Sequence, residues 1–89
     1  MEMSSEYKKI YKAIDEILWN DWDPIGVNNF KEARDEYYGY VPAIFGLKIG
    51  GANKETIAEK LHEIETYRMG VIRSINYCQQ IAEKIIELK

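Results

Sequence analysis

A chain of 89 residues has room for one domain around one core, and 46% apolar with 30% charged residues is the composition of a folded domain, not a disordered segment. Twelve Lys and Arg against fifteen Asp and Glu leave a net charge of −3, with no basic run beyond Lys8-Lys9. That argues against nucleic acid as a partner, because phosphate binding needs clustered cations.

The single cysteine, Cys78, cannot form an internal disulfide, which fits a reducing cytoplasm. The apolar runs are only a few residues long, too short for a membrane span. The opening MEMSSEYKK has no basic stretch followed by an apolar one, so no signal peptide is expected.

The first expected helix covers about 4–20. Ser4 or Ser5 can cap it, and Tyr7, Ile10, Tyr11, Ile14, Ile17 and Leu18 recur at three- and four-residue steps on one face. The stretch NDWDPIGVNN, residues 20–29, then interrupts the helical pattern. Asn29 followed by Glu32 has capping-box spacing, with Asn28 as the alternative cap, and opens an expected helix over about 28–40, with Phe30, Ala33, Tyr37 and Val41 on one face. Gly39 and Pro42 end it, and Pro42 suits the first turn of a short helix over about 42–49. Asn53 caps the next, about 53–69, with a stripe of Ile57, Ala58, Leu61, Ile64 and Met69. The last runs over about 73–88 with Ile75, Cys78, Ala82, Ile85 and Ile86 on its face. No alternating strand pattern occurs. The expected fold is all-α: a single domain, 1–89, forming a compact bundle of four main helices plus one short one, up-and-down because every connection is short.

The interrupting stretch permits three readings. Aligned as a calcium loop from Asp21, it offers Asp21, Asp23, Gly26 and Glu32 at the required positions, but Ile25 stands where a ligand oxygen belongs. Asp21, Asp23 and Glu32 are therefore only weak metal candidates. As turn chemistry, Asp23-Pro24-Ile25-Gly26 is a corner between two helices. As a recognition element, Asp21, Trp22 and Asp23 would present an aromatic ring and two carboxylates to a partner.

Glu65 and Arg68 also stand out, because the helical count places both on the apolar stripe. A charge there is costly unless paired, and residues three apart on a helix can pair with each other. They join the partner-binding candidates, as do Tyr38 and Tyr40 beside the helix break. Seven tyrosines exceed what a small core needs. His62 has no second His or Cys nearby, so it reads as a solvated helix residue and not a zinc ligand. Glu59 and His62 make the Glu-x-x-His element of di-metal bundles once, where two are needed. Cys78 reads as a small core residue. No residue set combines a nucleophile or base with a group to orient it, so neither enzymatic activity nor a cofactor is expected.

The stretches WNDWDPIGVNNFKEARDEYYGYVPAIFGL and IETYRMGV resemble the YugE-like family of small all-helical bacterial proteins, over the whole length of the chain. The marks are Trp22 to Val27, then Tyr37, Tyr40, Val41 and Pro42, then Glu65 with Met69 and Gly70. Tyr38 stands where the family has an acid, and Lys48 where it has an apolar residue. The hexapeptide WDPIGV is also similar to a segment of small immunity proteins that neutralise toxins. The resemblance implies the helical fold and carries over no catalytic residue. The function expected from all of this is a small, acidic, cytoplasmic, non-enzymatic module that binds a protein partner, as an inhibitor or immunity-like protein. The alternatives are a structural homodimer without ligand and a weak divalent-cation binder using residues 21–32. Neither nucleic acid nor membrane is expected as a partner.

Overall fold

Helix α1, Ser5–Ile17, begins where the Ser4 hydroxyl accepts the Tyr7 N–H at 3.1 Å; this computed structural model describes residues 4–89. Ile10, Ile14 and Leu18, four apart, are buried on its inner face. The chain then passes through a π-helical turn, Leu18–Trp22, closed by the Asp23 N–H on the Leu18 carbonyl at 3.0 Å. The wider turn carries both Trp19 and Trp22 into the core.

Residues 23–40 differ from the expected second helix. They contain two 3-10 turns, Lys31–Ala33 and Tyr38–Tyr40, and no α-helix. Asn29 does not cap: extended Phe30 precedes the first turn, which has no side-chain cap. Of the supposed apolar stripe, Tyr37 and Val41 are buried, Ala33 is half-buried and Phe30 is exposed. A short helix in water is held by its buried face, and this face reaches the core at one end only. The segment is anchored instead by Arg34, whose guanidinium donates to both Asp15 carboxylate oxygens at 3.2 and 2.9 Å and lies over the Trp19 ring.

Helix α2, Val41–Ile49, carries Pro42 in its first turn. It ends through Gly51 at φ +83°, which a β-carbon would strain. Lys48 donates from Nζ to the Ile86 carbonyl at 2.7 Å, meeting one of the open acceptors at the end of α4. Helix α3, Lys54–Glu63, starts on Asn53, whose side chain accepts the Thr56 N–H at 2.8 Å. A second π-helical turn, Ile64–Arg68, prolongs it. Gly70, at φ +69°, stops the helix. Helix α4, Asn76–Ile86, begins three residues later than expected.

The broadest interface is between α3 and α4, with α1 lying against α2 and α4. Between them Ile14, Ile44, Ile57, Leu61, Cys78, Ala82 and Ile85 are fully buried. The fold is an all-α bundle with no strand among the described residues. The radius of gyration, 12.6 Å, is close to the value of about 12 Å for a compact chain of this length. No described helix is long and apolar enough to cross a membrane.

Ile14 sits where α1 meets the rest of the core, so Ile14→Ala should cost about 2–5 kcal/mol. Urea unfolding followed by circular dichroism should show a lower midpoint with an unchanged slope.

Candidate functional site

The Asp21–Asn29 stretch forms a closed corner. Asp23 takes a left-handed conformation, φ 32°, the one positive φ among the described non-glycine residues. Asp is one of the few side chains that accept this region readily. Its carboxylate explains the shape of the loop. Oδ1 accepts the Val27 N–H at 2.8 Å and the Tyr37 hydroxyl at 2.7 Å, and Oδ2 accepts the Asn28 N–H at 3.2 Å. Gly26, at φ +64°, lets its N–H turn back to the Asp23 carbonyl at 3.1 Å. Burial, with the hydrogen bond to Asp23, pushes the Tyr37 hydroxyl well above its ordinary pKa, so it stays a donor.

Trp22 is not offered to solvent. It is 1% exposed, packs against the rings of Tyr37 and Tyr40, and sends its indole N–H to Glu65 Oε1 at 3.0 Å. This corrects its reading as a recognition residue: the π-helical turn rotates the indole inward, and its polar edge finds a buried acceptor.

Glu65, 0% exposed, is the centre of the arrangement. Oε1 accepts from Trp22, from Arg73 Nη2 at 2.8 Å and from Cys78 Sγ at 3.2 Å, while Oε2 accepts Arg73 Nε at 2.9 Å. Burial alone would raise its pKa, but the hydrogen bonds from Arg73, Cys78 and Trp22 prevail and hold it below its ordinary value. The bond to Glu65 raises Arg73 in turn. The Cys78 thiol is pushed up to about 12, by burial first and then by Glu65. Arg73 spans the boundary: it is 29% exposed and stacks over the Tyr77 ring at 4.3 Å. Tyr77 donates from its hydroxyl to the Asp21 carbonyl, and the Asp21 carboxylate meets Lys84 Nζ at 3.4 Å. The corner and the α3–α4 connection are therefore two sides of one network.

The expected Glu65–Arg68 pair does not form. Arg68 is exposed and Arg73 takes its place. A π-helical turn advances each residue by a smaller angle than an α-helix, so the 100° count misplaces Arg68. Gly70 then folds the chain back and brings Arg73 onto Glu65. Only the high cost of a lone buried acid could have signalled this from sequence. Tyr77, also in the network, went unmarked. His62 is half-buried, not solvated, with Nε2 on the Arg73 carbonyl at 3.0 Å. Tyr38 is exposed and lines a separate groove with Tyr11 and Val41.

Asp21, Asp23 and Glu32 do not converge, and no group of three or more His, Cys, Asp or Glu among the described residues could hold a metal. Asp23 spends both oxygens on the loop itself.

Above the network, the π-helical turn and the connection after it each carry an exposed side chain that sequence reasoning passed over. Tyr67 is 82% exposed and Ile72 96%. Arg73 fixes the loop from beneath through Glu65, and the Val71 N–H donates to the Glu65 carbonyl at 2.8 Å.

Comparison of the chain with protein-family models, with curated proteins and with solved structures gave no match.

Removing one partner of a buried ion pair leaves the other uncompensated. Arg73→Met should therefore destabilise the protein by about 3–5 kcal/mol in urea. Glu65→Leu with Arg73→Met should cost less than Arg73→Met alone. Because the folded pKa of Glu65 is lowered, its stabilisation is full above the ordinary value of 4.5 and fades as pH falls through the folded value. Stability measured from pH 7 down to pH 3 should therefore fall less steeply below about pH 4.5 in Glu65→Gln than in wild type.

Proposed function

We propose that the protein is a non-catalytic binding module that engages another protein through the α3–α4 connection. The observation that carries this reading is Ile72, almost fully exposed on a loop held in place from below, with Tyr67 exposed on the π-helical turn that precedes the loop. Single exposed apolar residues are ordinary. Here an aromatic side chain on the π-helical turn is followed five residues on by an aliphatic one in the connection, whose Val71 N–H is tied to the Glu65 backbone carbonyl and whose Arg73 is tied to the Glu65 carboxylate. Such a loop loses little conformational freedom on binding, which favours affinity. Asp21, Trp22 and Asp23 contribute as support beneath the loop, not as contacts.

The engagement of Cys78, His62 and Glu65 supports a non-enzymatic role. The Cys78 thiol is buried, and its raised pKa keeps it protonated. His62 is held on a backbone carbonyl, and Glu65 is saturated by donors. Membership of the bacterial YugE-like family belongs to the same proposal. Its support is that WDPIGV, the stretch carrying the resemblance, contains the residues that shape the corner. A cytoplasmic location is supported by the single free cysteine. An inhibitory or immunity-like action is one form the binding would take.

A second reading, self-association, is favoured by an open groove of about 300 Å³ walled by Tyr11, Tyr38 and Val41, with Lys12 and Asp15 at its edge. Tyr7 and Tyr11 pack edge-on against Phe45 on α2.

Immobilised wild type, Ile72→Ser and Tyr67→Ser, exposed to bacterial extract, separate these readings. Both variants should unfold within about 0.5 kcal/mol of wild type. Each should retain any captured partner roughly tenfold less well. Equal recovery would contradict the reading. A dimer in light scattering that dissociates in Tyr38→Ser would favour self-association.

A further inference from the structure

We propose that the shallow pocket between α2 and the π-helical turn after α3 receives a carboxylate side chain from an acidic segment of the partner. The pocket, about 160 Å³, is lined by Gly39, Tyr40, Ala43, Lys60, Ile64 and Arg68. The inference rests on the partner reading above and gives that partner a chemistry.

Arg34, Arg73 and Lys84 are paired with carboxylates, and Lys48 is bound to a carbonyl. Lys60 and Arg68 have no ion pair among the described residues, yet both line one hollow, and no acid lines it. What sets these two cations apart is that they border one concavity with no carboxylate in its lining. Two cations bordering a concave surface focus positive potential into it. An entering anion is attracted by both cations.

The size of the hollow also limits what can enter it. Sites for whole small molecules usually occupy about 300–1,000 Å³. A hollow of half the lower bound suits one side chain. The planar fork of Arg68 with the point charge of Lys60 suits a carboxylate, which accepts from both. Arg68 follows Tyr67 and lies four residues before Ile72, at most about 14 Å of extended chain. A segment covering Ile72 is thus within reach of the pocket.

The test is an NMR titration of isotope-labelled protein at low salt with an N-acetylated, C-amidated Glu-Glu-Leu-Glu-Glu peptide. A Gln-Gln-Leu-Gln-Gln peptide and inorganic phosphate are the comparison ligands. The acidic peptide should shift the amides of Gly39, Tyr40, Lys60 and Arg68 saturably, and the neutral peptide should not. Lys60→Gln or Arg68→Gln should each weaken binding about three- to tenfold, in variants whose circular dichroism matches wild type. Unchanged affinity in the double variant, shifts confined to other surfaces, or equal binding of the neutral peptide would overturn the proposal. Phosphate binding the same amides as tightly as the peptide would overturn the peptide assignment in favour of a free oxyanion. In the extract experiment, a partner lost in Ile72→Ser but kept in the Lys60→Gln/Arg68→Gln double variant overturns the pocket alone. A partner kept in both overturns the loop reading, while the titration still reports on the pocket.

Discussion

A carboxylate shut off from water must have its lone pairs met by donors, and Glu65 imposes that requirement on three separate parts of this chain. Desolvating a charge costs several kcal/mol, and the cost is offset only when geometry and hydrogen bonding are nearly complete. Trp22 arrives from the end of α1, Arg73 from the loop beyond Gly70, and Cys78 from the first turn of α4. Both segments that flank the network contain a π-helical turn, one delivering Trp22 and the other holding Glu65. Widened turns of this kind are uncommon and occur where side chains must be re-aimed. Among the described residues no buried side-chain N or O lacks a partner, so the polar centre of this small core is fully satisfied.

The network links what would otherwise be two independent surface features. The corner at Asp23 is locally stable through its own carboxylate bonds, and Tyr37 ties it to the segment before α2. Through Trp22 and Tyr77 it is also tied to the loop that displays Ile72. Part of the stabilisation available to a chain of this size is therefore spent on holding an exposed loop in one shape. A core built for stability alone would do as well with apolar residues in place of the ion pair. That difference is one support for the proposed binding role of the loop.

Much of the bundle was legible in the sequence. The faces of α1, α3 and α4 follow from three- and four-residue spacing, and Ser4 and Asn53 announce the helix starts that they cap. Pro42 and Gly70 mark real boundaries. Residues 28–40 misled because Asn29 and Glu32 have capping-box spacing and Phe30, Ala33, Tyr37 and Val41 have helical spacing. Only tertiary burial reveals that Phe30 is left in solvent and cannot sustain a helix. For the site, Glu65 was visible as a charge on an apolar stripe, and Trp22 and Asp23 as unusual residues at a corner. Their mutual contact was not, because a hydrogen bond across 43 residues leaves no periodic trace. Arg73 was hidden by the π-helical turn, which breaks the angular count used to place Arg68. Ile72 and Tyr67 escaped because exposure is a property of the folded loop and not of the residue type.

The central claim is that corner, core and displayed loop form one cooperative unit around Glu65. Native-state hydrogen exchange tests it most directly, read at the Trp22 indole proton and the Val71 amide. If the claim holds, both protons exchange only through global unfolding, with opening free energies within about 1 kcal/mol of the value from urea denaturation. Exchange of either proton through a local opening several kcal/mol cheaper than global unfolding would contradict it.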